Sequence, residues 1–91
     1  MVEISVEVQN PTGLHARPAA FLIQAASKFK SQIWLVKDDK EVDAKSILGL
    51  ITLSAKHGDK LICRAQGEDA QLAVETIAGL INEPLDNLTI N

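Results

Sequence analysis

The chain has 91 residues, 46% of them hydrophobic, which fits one compact domain with a modest core of its own. Nine basic against twelve acidic residues give a net charge of −3, and with only 3% aromatic residues this disfavours nucleic-acid binding through a basic face or base stacking. The single cysteine, Cys63, excludes an intramolecular disulfide, and without a leader or a long apolar run we expect a cytoplasmic protein that is not inserted in a membrane.

The first part of the chain predicts a strand followed by a helix. Val2 to Gln9 alternate between apolar and polar side chains, as in an antiparallel strand with one wet face. Asn10-Pro11-Thr12-Gly13 breaks the strand. Because Pro18 is tolerated only in a first helical turn, the helix should begin within a residue or two of His15. Its apolar face consists of Ala19, Leu22, Ile23, Ala26 and Phe29.

The middle of the chain predicts a hairpin and a short helix. Gln32 to Lys37 and Glu41 to Asp43 are typical of two short strands joined by a polar turn. Ser46 then predicts a helix N-cap, and an apolar run from Ile47 to about Leu53 predicts the helix itself.

The last part predicts one more strand and one more helix. Lys60 to Gln66 alternate, with Leu61, Cys63 and Ala65 on one side. Asp69 is a candidate N-cap for the final helix, which Pro84 should stop. Its inward face consists of Ala73, Ile77, Leu80 and Ile81. The order β-α-β-β-α-β-α, with a short tail from Leu85 to Asn91, predicts an α+β protein whose helices cover one face of a four-stranded antiparallel sheet.

A chemically suggestive group of residues lies at the start of the first helix. His15 carries an imidazole, a nucleophile and proton carrier with an ordinary pKa of about 6.5. A helix start favours an anion, and because Pro18 has no N–H, the amides of Ala16 and Arg17 are best able to meet an oxyanion. The Arg17 guanidinium can bind two phosphate oxygens. These residues indicate a phosphoryl acceptor, and the alternative on the residues alone is a histidine that only caps the helix or lies at the surface.

Three motifs resemble those of one known family. Gly13-Leu14-His15-Ala16-Arg17-Pro18-Ala19 resembles the active-site signature of HPr, the histidine-containing phosphocarrier of the bacterial phosphoenolpyruvate-dependent sugar phosphotransferase system. Ala44-Lys45-Ser46-Ile47-Leu48-Gly49-Leu50 resembles that family's regulatory serine motif, and Gly67-Glu68-Asp69-Ala70 resembles its last loop. The motifs stand in the expected order, and the resemblance extends from Val2 to about Glu83.

The resemblance implies a phosphocarrier and not an enzyme. The family fold is an open-faced β-sandwich with strand order 1-4-2-3, here a single domain over residues 1–91. By resemblance, Nδ1 of His15 accepts a phosphoryl group from enzyme I and donates it to the IIA domains of sugar permeases. Arg17 and the amides of Ala16 and Arg17 would steady the phosphate, and Thr12 would support the site. We expect a monomer with no cofactor or metal, since the partners supply most of the transition-state stabilisation.

Ser46 has two compatible interpretations. On the residues alone it is a helix cap. The resemblance adds phosphorylation by HPr kinase/phosphorylase and binding of the phosphorylated form to a catabolite-control repressor. A helix N-terminus tolerates the phosphate, so the fold should barely change, but about −1.5 to −2 units of charge would lie beside a docking surface.

That docking surface is predicted on the short helix. Helical spacing turns Ile47 and Leu50 towards the core and leaves Leu48 and Ile51 on the other side, where they would contact partners together with Ala20. The alternative is a short helix that is buried all round.

Two other functions compete with sugar phosphotransfer. A nitrogen-regulatory paralogue would keep the histidine chemistry without moving sugar, but Ser46 followed by Ile47-Leu48-Gly49 favours the sugar branch. A pure interaction domain would bind regulators without transferring phosphate, and the presence of both His15 and Arg17 counts against it.

The remaining candidates have structural explanations. His57 is expected in solvent and Cys63 in the core, and with His15 they lack the spacing of a zinc site. Gln24 and Ser27 stand where many relatives carry lysine, which implies weaker electrostatic steering of acidic partners.

Overall fold

A computed structural model describes residues 1–11, 13–14 and 17–82, and of Arg17 and Pro18 it describes the backbone only. The chain order of the elements confirms the predicted β-α-β-β-α-β-α pattern. The elements are β1 (Val2–Glu7), α1 (Arg17–Ala26), β2 (Gln32–Lys37), β3 (Lys40–Asp43), α2 (Ile47–Leu53), β4 (Lys60–Gln66) and α3 (Ala70–Ile81). Pro84 and the tail lie outside the described residues.

The four strands form one antiparallel sheet in the order β1-β4-β2-β3, as the resemblance implied. Cys63 lies at its centre, opposite Ile4 on β1 and Leu35 on β2. The inner face packs against the helices, while the outer face stays open, which is the arrangement of an open-faced sandwich. Cys63 is fully buried and is therefore a core side chain as expected, and this burial raises the pKa of its thiol to about 12.

Backbone contacts end two elements earlier than the sequence pattern predicts. β1 ends at Glu7, because the next residue, Val8, bonds to two residues before β4: its N–H donates to Asp59 at 2.9 Å and its carbonyl accepts from Gly58 at 2.8 Å, which interrupts the regular one-to-one pairing. Phe29 was predicted on the first helix, but α1 ends at Ala26 and Phe29 follows in a tight turn. Phe29 is partly buried and packs against the core. The prediction that it faces the core is therefore confirmed, and the prediction that it lies on the helix is wrong.

The predicted helical core faces are largely confirmed. In α1, Ala19, Leu22 and Ala26 are fully buried. In α3 the buried residues are Ala70, Ala73, Val74, Ile77, Ala78 and Ile81. Leu80 was predicted to face inward and is only partly buried, because Ile77 and Ile81 define the face that meets the sheet and Leu80 lies at its margin.

Asp69 stands at the N-cap position of α3, but the predicted side-chain cap is wrong. Its carboxylate accepts the backbone N–H of Lys30 and that of Ser31, each at 2.9 Å, and also the Ser31 hydroxyl. The Ser31 hydroxyl and the Lys30 amide lower the pKa of Asp69 to about 2. Asp69 therefore joins the α3 turn to the segment before β2.

Candidate functional site

The segment that leads to His15 is held by buried hydrogen bonds. Asn10 is fully buried, and its carbonyl accepts the Gly13 N–H at 3.0 Å while its Nδ2 donates to the Gly13 carbonyl at 2.9 Å. Leu14 is 1% exposed and donates its N–H to the Ala55 carbonyl at 2.9 Å. These bonds fix Gly13 and Leu14, the two described residues that come just before His15.

Gly13 is required by this arrangement. Its φ of +77° lies in the left-handed region, where L side chains are strained. A Cβ at this position would lie 2.4 Å from the Ala55 carbonyl oxygen. Only glycine therefore allows the loop to approach the end of α2 so closely.

The helix on the other side of His15 begins where the sequence predicted. α1 starts at Arg17, and Pro18 is its second residue, which confirms a start within two residues of His15 with proline in the first turn. The first amides of a helix have no partner within the helix and carry its positive dipole end. Thr12, His15 and Ala16, together with the Arg17 side chain, lie outside the described part of the chain, so their predicted roles stay predictions.

Ser46 caps α2 as predicted. Its backbone is extended, and its Oγ accepts the N–H of Gly49 at 3.0 Å. Gly49 also lets α2 approach β3, since a Cβ there would lie 3.2 Å from the Asp43 carbonyl and 3.3 Å from Cβ of Val42. The helix ends at Leu53, and the left-handed backbone of its C-cap, Ser54, turns the chain towards Ala55.

α2 presents an exposed apolar surface. Leu48 is 71% exposed and Ile51 49%, as predicted, so the alternative of a helix buried all round is wrong. Ile47, predicted to face the core, is 46% exposed. Leu50 and Leu53 are fully buried and define the inner side, and Ile47 lies roughly a quarter turn away from them. We call Ile47, Leu48 and Ile51 the α2 patch.

Ala20 is exposed on α1, as its predicted docking role requires. Gln24 and Ser27 are exposed as well, and so is His57, as expected.

A shallow depression of about 290 Å³ lies between the α2 patch and the loop, lined by Ile51, Ser54, Ala55 and Lys56. Because the Ala55 carbonyl binds Leu14, the depression borders the residue that precedes His15. Sequence reasoning missed Ala55, since a contact made by a backbone carbonyl leaves no signal in the side chain.

Asp59 organises the turn behind this depression. Its Oδ2 accepts the Lys56 N–H at 2.8 Å and lies 3.0 Å from the Lys37 ammonium, which also donates to the Ser54 carbonyl at 3.0 Å. The Lys56 amide, followed by Lys37, lowers the pKa of Asp59.

The described residues contain no cluster of three or more His, Cys, Asp or Glu side chains that could hold a metal ion. None of their helices is long and apolar enough to cross a membrane.

Comparison with known proteins identifies the family. The profile of the family described as "PTS HPr component phosphorylation site" matches residues 2–83. The HPr-like protein Crh of Bacillus subtilis is 48% identical over 91% of this chain and 98% of its own length. The phosphocarrier protein HPr of Neisseria meningitidis is 40% identical over 90% of this chain and 92% of its own length.

Solved structures that resemble this chain belong to the same family. A crystal structure of HPr from Thermoanaerobacter tengcongensis has a TM-score of 0.86 and 48% identity, covering 89% of this chain and 91% of its own. Crh of Bacillus subtilis, described as a catabolite repression protein and a domain-swapped dimer, has a TM-score of 0.75, covering 92% of this chain and 97% of its own. The chain therefore belongs to the HPr family, whose members act with the enzymes of the bacterial phosphotransferase system.

Proposed function

We propose that this chain is a phosphocarrier in which Nδ1 of His15 accepts a phosphoryl group from phospho-enzyme I and passes it to the IIA domains of sugar permeases. The observation that supports this most strongly is that the described residues on both sides of His15 have fixed positions. Leu14 is buried and bonded to Ala55 on one side, and α1 begins at Arg17 on the other. Two residues of sequence, His15 and Ala16, connect these fixed points.

The transfer step requires a free electron pair on the imidazole. Nδ1 of His15 attacks phosphorus, an N–P bond forms, and the bond between phosphorus and the phosphorylated group of enzyme I breaks. The second transfer reverses the roles, with His15 as leaving group and the IIA domain as acceptor. No oxidant, metal or nucleotide is needed for either displacement.

The new phosphate would be stabilised by the start of α1. We assign this role to the amides of Ala16 and Arg17 and to the Arg17 guanidinium, with Thr12 in support, since the positive end of the helix favours an anion. Moderate stabilisation suits a carrier, because a tightly held phosphate would not leave. The partner enzymes then contribute the remaining positioning and charge.

Docking is assigned to the α2 patch and Ala20. These apolar side chains are exposed and lie at the end of the molecule that holds the loop before His15. Exposed apolar groups beside a polar site are typical of a partner interface. The proposal includes a monomer acting in the cytoplasm, although Crh of Bacillus subtilis forms a swapped dimer.

Ser46 is proposed as the regulatory site, phosphorylated by HPr kinase/phosphorylase and then recognised by a catabolite-control repressor. A phosphate on its Oγ would carry about −1.5 to −2 units of charge next to the exposed Leu48. The neighbouring Lys45 ammonium donates to the Phe29 carbonyl at 2.8 Å, which holds this side chain towards the segment after α1. Docking of acidic partners would weaken.

One observation favours a second candidate function. The 48% identity to Crh, described as a catabolite repression protein, fits a regulatory HPr-like protein that binds partners without carrying phosphate to sugar. A nitrogen-regulatory paralogue would instead keep His15 chemistry with different acceptors.

Labelling with phosphoenolpyruvate and enzyme I tests the acceptor. The native chain should gain one phosphate that is labile in acid and stable in base, His15→Ala should gain none, and His57→Ala, which removes the other histidine, should be labelled normally. Labelling of His15→Ala would exclude the proposed acceptor. No labelling of the native chain would favour the purely regulatory function.

An ATP-dependent assay with HPr kinase/phosphorylase tests the regulatory site. We expect an acid-stable phosphate that is lost in Ser46→Ala and kept in Ser27→Ala, which changes another serine outside the α2 cap. Phosphate on any other residue would contradict this assignment.

A further inference from the structure

The turn between α2 and β4 borders the depression beside the α2 patch. Lys56 is exposed and lines this depression together with Ile51 of the patch. The turn also lies against the loop that leads to the candidate acceptor, because a Cβ built on Gly13 would lie 3.2 Å from Cα of Lys56. Lys56 therefore lies between the proposed docking surface and the described residues just before His15.

Hydrogen bonds fix the backbone of Lys56. Its N–H donates to Oδ2 of Asp59 at 2.8 Å, and its carbonyl accepts the Asp59 N–H at 2.9 Å. The preceding residue, Ala55, is 1% exposed, and its carbonyl accepts the Leu14 N–H. A binding group on a turn that is already ordered loses less conformational entropy when a partner binds, so this turn is well suited to present a charged side chain.

The Lys56 ammonium supplies a positive charge that the turn does not neutralise. Oδ2 of Asp59, the carboxylate of the same turn, lies 3.0 Å from the Lys37 ammonium, so these two charges offset each other. None of the described carboxylates forms an ion pair with Lys56. The turn therefore keeps a net positive charge, in a chain whose net charge is −3.

The two helices that form the proposed docking surface carry little charge of their own. α2 (ILGLITL) has no ionisable side chain, and α1 (RPAAFLIQAA) has one, Arg17. Apolar contacts are not directional, whereas a charge at the margin of an interface steers the encounter and fixes the register of the partner. On the α2 side of the surface, Lys56 provides such a charge.

We propose that Lys56 determines specificity for enzyme I: its ammonium binds a carboxylate of enzyme I, and an apolar group of enzyme I packs beside it on Ile51. This inference rests on the proposed phosphocarrier function. The ion pair is present in the docked complex before and during phosphoryl transfer, so it lowers KM and leaves kcat unchanged.

Binding and labelling with enzyme I test the inference. For Lys56→Glu we expect the Kd for enzyme I, measured by calorimetry, and the KM of labelling by phosphoenolpyruvate and enzyme I to rise about tenfold or more, with kcat within about twofold of the native value. Lys56→Arg keeps the charge and should bind as the native chain does. Because Lys56 is exposed, each variant should keep its native thermal stability.

Lys60→Glu is the matched control. It makes the same change of charge at an exposed residue at the start of β4, which does not line the depression, and should leave the Kd for enzyme I within about twofold of native. Equal effects of Lys56→Glu and Lys60→Glu would show a general effect of net charge and would overturn the inference. A lower kcat with an unchanged KM in Lys56→Glu would place the ammonium at the phosphoryl group and would also overturn it.

Salt gives an independent measurement of the same contact. Mobile ions screen exposed charges beyond about 3 Å at 1 M salt, so the Kd of Lys56→Glu should approach the native Kd there. A difference that persists at 1 M salt would contradict an ion pair. The two proposals fail separately: a native chain that binds enzyme I through Lys56 but gains no phosphate would refute the carrier function alone, and a labelled native chain whose Kd and KM do not depend on Lys56 would refute only the docking contact.

Discussion

The N–H of Leu14 donates to the carbonyl of Ala55 at 2.9 Å, and both residues are 1% exposed. This shielded bond joins the segment before His15 to the end of α2. The hydrogen bond therefore links the chain just before the candidate phosphoryl acceptor to the helix that carries the candidate docking surface. A substitution that breaks this contact should lower both the stability of the protein and its rate of phosphotransfer.

Gly13→Ala should disrupt this junction. The variant forces a left-handed backbone on alanine and places a Cβ 2.4 Å from the Ala55 oxygen, so we expect a loss of about 2 kcal/mol or more in free energy of unfolding. Gly58→Ala is the control, because its φ of +89° imposes the backbone strain while its Cβ would meet nothing within 4 Å. Urea denaturation measures the free energy of unfolding of both variants. An equal loss of stability in Gly13→Ala and Gly58→Ala would contradict the close contact between residue 13 and the Ala55 carbonyl.

Ser46→Ala should cost about 1 kcal/mol of stability, because Gly49 loses its capping acceptor. Ser46→Asp keeps an acceptor at the helix start and should cost less. Thermal unfolding compares the two. A Ser46→Ala variant as stable as the native chain would show that the cap contributes nothing.

Leu48→Asp should slow phosphotransfer without unfolding the protein. Leu48 is 71% exposed, so we expect a stability change within about 0.5 kcal/mol but at least about a tenfold lower rate with enzyme I. Leu72→Asp, at a leucine 59% exposed on α3, is the matched control and should transfer normally. Equal rates for the two variants would exclude the α2 patch as a docking surface.

The contact between Asp69 and Ser31 should make stability depend on pH. The pKa of Asp69 is lowered from 3.8 to about 2, so its stabilising effect is complete above about pH 4 and is lost as pH falls through about 2. Asp69→Asn should be less stable than the native chain at pH 7, and this difference should shrink at acid pH. Urea titrations from pH 7 to pH 2 measure it. A difference that stays constant would contradict the lowered pKa.

Most of the sheet was predictable because β1, β2 and β4 each turn one face towards the core, whereas β3 has no fully buried residue and was predicted from the polar turn before it. In β4 the alternation is complete, with Leu61, Cys63 and Ala65 buried and their neighbours not. A period of two residues therefore identified the strands, and the apolar periodicity of α1 and α3 identified the helices.

The errors occurred where a distant partner decides the local structure. Asp69 looks like a helix cap, but donors 38 and 39 residues away in sequence bind its carboxylate. Such contacts cannot be predicted from neighbouring residues. The error at Ile47 has another cause: its spacing with Leu50 fits the core, but Leu50 and Leu53 together set the rotation of α2 and leave Ile47 exposed.

The residues of the candidate site were predicted from sequence motifs, and the structure adds the backbone contacts that hold the neighbouring residues in place. Ser46 was expected as a cap from its residue type and position. The contribution of Ala55 could not be expected, because only its backbone carbonyl contacts the loop.

Onward transfer tests the central claim most directly. The chain phosphorylated by enzyme I should be isolated and mixed with a IIA domain, and the phosphate followed on both proteins. We predict that it leaves His15 and is found on the IIA domain, with no net release as inorganic phosphate. Phosphate that remains on the chain for every IIA domain tried would contradict a carrier function.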